Sequence, residues 1–134
     1  MAQVDPNLPL DMAIAKMTEL CDSYRDGVLF SHFVYDGHQW QCDQASRFNV
    51  VGVILLAVLN QGHLPPNFIF RDMANVVHVV TGPYMINMGI TMLAFLSAVY
   101  KAGWTHKAAI QAMTDPISVQ EYDYMSTLWP SNSL

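Results

Sequence analysis

The segment from His32 to Asp43, HFVYDGHQWQCD, holds two histidines, a cysteine, two aspartates and a tryptophan. These residue types ligate metals or move protons, so their spacing decides what they can do. On an extended strand His38 and Cys42 share a face but stand roughly 13 Å apart, too far for one ion. His32 points to the other face. His63, His78 and His106 fall in three further elements, and no HxxxH or CxxC spacing joins any of them. There is no GxSxG, no P-loop and no GxGxxG. The acid pairs Asp22/Asp26 and Glu121/Asp123 read as solvated helix ends rather than paired catalytic carboxylates. Cys21 and Cys42 read as free buried thiols. The sequence therefore assigns no catalytic, metal-binding or cofactor-binding residue and predicts a non-enzyme.

Local structure accounts for the same residues. Asp36-Gly37 is the two-residue signal of a type I′ hairpin. Folding around it pairs Tyr35 with His38, Phe33 with Trp40 and Ser31 with Cys42. Phe33, Tyr35, Trp40 and Cys42 then form the apolar face, with His32, Val34, Gln39 and Gln41 opposite. Asp43 is placed to cap a helix over about 44–61 that ends at Gly62. Phe48, Val51, Leu55, Val58 and Leu59 are its main stripe, yet Val50, Val53, Ile54 and Leu56 cover the other faces. A helix apolar all round is a central helix or an interface helix.

Before that hairpin, Asp11 opens a first helix whose stripe is Ile14, Met17, Leu20, Cys21 and Tyr24, with Gly27 as its stop. After Pro65-Pro66, Phe68–Phe70 and Val76–Val80 flank turn residues and predict a second hairpin. Thr81 and Pro83 start a long closing helix to about Ala102, buried through Met85, Met88, Met92, Phe95 and Val99. Gly103 should kink or end it, with a further helical piece over 105–113. Ser118 and Glu121 suggest a capping box for one short helix. The fold class is α+β, with two hairpins and three to four helices. The expected core includes Phe33, Tyr35, Trp40, Phe48, Val51, Leu55, Phe68, Phe70, Met92 and Phe95.

Of 134 residues, 52% are hydrophobic and only 13% charged, where about a quarter is usual. Such a chain hides apolar surface against partners or spans a membrane. Val50–Leu59 is too short to span. The uncharged run 81–100 is long enough but is broken by glycine, proline and polar residues and has no flanking basic cluster, so membrane insertion is not expected. The first residues lack the pattern of a secretory signal. The formal charge of −5, with six scattered basic residues, excludes the basic patch that nucleic-acid binding requires. The expected organisation is an arm over 1–10, a core over 11–114 and a tail over 115–134. Leu8, Leu10, Tyr122, Tyr124, Leu128 and Trp129 lie on these terminal segments, which are too short to bury them alone, and are expected to meet a partner.

Two runs carry a likeness: Phe33–Asp43 with Ser46 and Asn49–Gly52, and Pro65–Asp72 with Asn75 and Thr81. Over about residues 12–113 the chain resembles an uncharacterised domain family of bacteriophage tail genes, found in or beside tail-fibre and fibre-assembly proteins. Phe70 stands where that family has tryptophan, and Gly82-Pro83 where it has acidic and leucine residues. The resemblance implies a structural part of the virion tail or baseplate, assembled in the host cytoplasm, present in several copies and contacting other tail, baseplate or fibre proteins. It supplies no catalytic residue and no cofactor. The alternatives are a fibre-assembly chaperone absent from the finished particle and a small metal-dependent hydrolase.

Overall fold

The computed structural model describes residues 3–134. The chain is α+β, in the order α1 (Leu10–Leu29), β1 (His32–Tyr35), β2 (His38–Gln41), α2 (Gln44–Leu59), β3 (Ile69–Arg71), β4 (Val77–Val79), α3 (Gly82–Gln111) and α4 (Pro116–Glu121). The strands make two separate antiparallel hairpins. Residues 3–27 and 98–129 form one compact unit, the terminal unit; residues 28–97 and 130–134 form a second, the hairpin unit. This division replaces the expected arm, core and tail.

In the hairpin unit, β1 and β2 adopt the expected register, Phe33 opposite Trp40 and Tyr35 opposite His38. Asp36 and Gly37 both have positive φ, as a type I′ turn requires. Phe33 and Trp40 are buried, and the Trp40 indole N–H donates to the Tyr35 carbonyl at 2.9 Å. The second hairpin pairs Phe70 with His78, and Asn75 takes positive φ in its turn. Asp43 caps α2 by accepting from the Ser46 N–H at 2.7 Å. Arg47, the one charged residue of α2, turns inward to donate to the Cys42 and Leu29 carbonyls.

The expected core needs correction on α2. Met92 and Phe95 are buried, and Tyr35, Phe68 and Phe70 are partly so, but Phe48, Val51 and Leu55 are exposed. Only Val50 and Ala57 of α2 are fully buried. A narrow strip is all that faces inward, because α2 meets α3 closely: a Cβ on Gly89 would collide with the Ile54 side chain. The helix is therefore not central.

In the terminal unit, Ala13, Met17, Cys21, Ile110 and Val119 form the core. α4 is capped by Asp115, whose carboxylate accepts from the Ser118 N–H and hydroxyl, instead of by a Ser118/Glu121 box. α3 passes through Gly103 unbroken for 30 residues. Val99, Ala102, His106 and Ile110 are all buried, so packing on both sides of Gly103 outweighs the ~1 kcal/mol that glycine costs a helix. The Arg25 side chain lies against Gly103, where a Cβ would be crowded. α1 likewise continues past Gly27 to Leu29. By length and composition α3 could cross a membrane, although its methionine face is buried.

Candidate functional site

Three features of the described residues could do something beyond folding. The first lies in the hairpin unit. His38 opens β2 directly after the Asp36-Gly37 turn, Asp72 follows β3, and His78 sits in the middle of β4. Asp72 Oδ2 lies 2.8 Å from His78 Nε2 and 3.5 Å from His38 Nδ1. One ligand atom from each residue falls within 4.8 Å of the others. Asp72 Oδ1 accepts from the Val76 N–H at 3.0 Å, which fixes the carboxylate. The His78 N–H beside it is the main reason the Asp72 carboxyl is held below the usual carboxylate range, although burial opposes this. Trp40 borders both histidine rings, and an open cleft of about 420 Å³ reaches Asp72 past Trp40, Ser46, Asn49, Phe70 and Arg71.

Sequence spacing hid this group. His38 and His78 occupy different hairpins, and Asp72 reads as an ordinary turn residue. They meet because the Met73 N–H donates to the Gln39 carbonyl at 2.9 Å, holding the second turn against β2. Nothing local in the sequence signals that bond. His32 pairs with Gln39 instead, and His63 lies in the loop after α2.

The second feature is the outer face of α2. Phe48, Val51, Leu55, Val58 and Leu59 are 80, 56, 54, 58 and 77% exposed. At 3.6 residues per turn they fall within an arc of roughly 100°, opposite Val50 and Ala57. Ile90 and Leu93 of α3 are each 61% exposed.

The third feature is the pair of terminal segments, where five of the six residues expected to meet a partner are partly buried within their own unit. Leu8, Leu10, Tyr122, Tyr124 and Trp129 pack on the core of their own unit. Gln120 and Asp5 exchange hydrogen bonds, tying the first segment to α4. His106 is buried; its Nε2–H donates to the Thr127 carbonyl, and its Nδ1 is hydrogen-bonded with the Tyr122 hydroxyl, both at 2.8 Å. Trp129 stacks on His106 and donates to the Tyr124 carbonyl. Leu128 alone of the six points outward, at 57% exposure.

The Ser118 hydroxyl that donates to the Asp115 carboxylate belongs to the cap of α4. Both cysteines are buried, and burial pushes their thiols up, away from the reactive thiolate. Tyr84 donates to the Asp36 carboxylate, and burial together with that bond raises its phenol.

The chain is α+β, with two hairpins, a long closing helix and an outward apolar stripe on α2. It belongs to a family described as a domain of unknown function (DUF4376), whose model matches residues 12–125. No curated protein and no solved structure matches the chain.

Proposed function

We propose that this chain is a non-enzymatic assembly component of a bacteriophage tail, joining a fibre or another tail part to the virion, and that its copies associate along α2. The observation that carries the assembly reading is the outer stripe of α2; the phage setting rests on the resemblance of residues 33–52 and 65–81. Monomeric proteins rarely expose apolar patches beyond a few hundred Å². The five α2 residues offer on the order of 500 Å², more than half of the ~800 Å² per partner of a stable interface.

A second copy is the occupant that fits. Phe48, Val51, Leu55 and Val58 repeat at intervals of three, four and three residues, the seam of a helix that packs on another helix. Arg47 faces inward, so the stripe has no charge to select a charged partner. Two-fold antiparallel pairing about the middle of α2, between Val51 and Gly52, would set Phe48 against Leu55 of the second copy.

Sedimentation of the purified chain tests this: a dimer or higher oligomer is expected, and Leu55→Glu should give a folded monomer. A chain that stays monomeric up to its solubility limit would sink the α2 reading. Mass spectrometry of purified particles tests the tail role separately, since an assembly chaperone would be absent from them.

A further inference from the structure

We infer that His38, Asp72 and His78 form a binding site for one divalent transition-metal ion of the zinc class, which ties the first hairpin to the second. The three side chains present two imidazole nitrogens and one carboxylate oxygen from two hairpins, all within 4.8 Å. In a tetrahedral zinc site, bonds of about 2.0–2.2 Å place neighbouring ligand atoms about 3.4 Å apart. The separation of 3.5 Å between Asp72 Oδ2 and His38 Nδ1 already meets that. The 2.8 Å contact between Asp72 Oδ2 and His78 Nε2 must open by roughly half an ångström, exchanging one hydrogen bond for two bonds to a shared ion.

The surroundings are those of a ligand set rather than a chance surface cluster. A ligating carboxylate is usually fixed through its second oxygen, and here the Val76 N–H holds Asp72 Oδ1. The Asp72 N–H in turn donates to the Val76 carbonyl, closing the turn that presents the carboxylate. The Asp72 side chain is 3% exposed and that of His78 17%, with the Trp40 ring 4.9 Å from the His78 ring as an apolar wall. The His38 side chain is 43% exposed, which leaves an entry path and room for water to complete the coordination. Two imidazoles with one carboxylate suit zinc and its neighbours; calcium and magnesium demand more oxygen ligands. For His78 to bind, the Nε2 proton leaves, and the neutral ring can carry a proton on Nδ1 instead. No turnover is needed for the ion to matter: it would crosslink β2, the β3–β4 turn and β4.

The site is independent of any pairing along α2, and its test uses the full chain stripped of metal by a chelator. Calorimetric titration with zinc should show one ion per chain. Melting should rise by roughly 5–10 °C when free zinc reaches a hundred times its Kd. His38→Gln and His78→Gln should each weaken binding at least tenfold, while His63→Gln should leave it unchanged. Cobalt substitution should give the visible absorption of a low-symmetry nitrogen–oxygen site, lost in the same two variants. His38 is half-exposed, so His38→Gln should fold and keep the test decisive even if Asp72→Asn does not. Failure of the parent chain to take up zinc overturns the site, leaving a hydrogen-bonded cluster only. Uptake that survives in the His38→Gln/His78→Gln double variant overturns it equally.

Discussion

The terminal unit and the hairpin unit solve the same problem differently. Both carry more apolar side chains than so short a chain can enclose. The terminal unit encloses most of its share: α1, the second half of α3 and α4 surround Met17, Cys21, Ile110 and Val119, and both end segments fold back as covers. The hairpin unit buries Phe33, Trp40, Met85 and Met88 but leaves the outer stripe of α2, Ile69, Val77 and Val79 of the second hairpin, and Ile90 and Leu93 of α3 exposed. The difference shows which apolar surface the fold leaves uncovered. Segments that look like arms in the sequence are internal, while a helix that looks like core faces outward.

The sharpest way to break the comparison is to substitute two large aromatics of the hairpin unit in parallel. Trp40→Ala should cost about 3–5 kcal/mol in chemical denaturation, because a fully buried indole and its hydrogen bond to Tyr35 are lost. Phe48→Ser should change the melting of the isolated monomer little, within about 0.5 kcal/mol, because that ring is 80% exposed. Comparable losses from the two would mean that the α2 stripe is enclosed after all.

A smaller effect is expected from His106→Ala in the terminal unit. It leaves the Tyr122 hydroxyl and the Thr127 carbonyl without their partner, at about 2 kcal/mol. Residues 123–129 should also become open to limited proteolysis while residues 28–97 stay protected. A tail as resistant as in the parent chain would show that the packing of Tyr124 and Trp129 on Tyr24 suffices to hold it.

Acid gives the mildest test. Asp43, Asp72 and Asp115 are all held below the ordinary carboxylate value, chiefly by bonds from Ser46, His78 and Ser118 respectively. A group whose folded pKa lies below its unfolded one stabilises the fold above the unfolded value, near 4, and loses that contribution as pH falls through the folded value. Melting should therefore be insensitive to these groups between about pH 5 and 7 and decline below about pH 4. Asp72→Asn should flatten that decline more than Asp36→Asn. Equal profiles for the two variants would show that the His78 contact does not hold the Asp72 proton away.

How much could be read beforehand follows the range of the forces involved. Asp36-Gly37 forces positive φ on two successive residues, so the first hairpin and its Phe33–Trp40 pairing are local consequences of four or five residues. Asp43 reaches a backbone N–H only three residues away, so the start of α2 is legible for the same reason. The second hairpin, the methionine face of α3 and the α+β class follow from period-two and period-3.6 patterns. Gly27 and Gly103 misled, because glycine only permits a helix to end; long-range burial of Leu29 and of Val99, His106 and Ile110 decided that neither helix does. Ser118 and Glu121 match a capping pattern, yet Asp115 caps α4 because its carboxylate reaches both Ser118 donors.

What the sequence by itself determined is therefore the list of elements and where most of them begin, since turns, caps and periodicity act within a few residues. Which of two apolar faces α2 turns inward was settled only in three dimensions, by Gly89 letting Ile54 and Val50 approach α3. The terminal segments are equally undetermined by composition: Tyr122, Tyr124 and Trp129 could serve a partner or their own core, and a buried His106 with two hydrogen bonds to the tail made the choice. The His38–Asp72–His78 group lies furthest from local rules. Its members come from two hairpins separated by a helix, and a single backbone bond from Met73 to Gln39 sets the approach that brings three ligand atoms together.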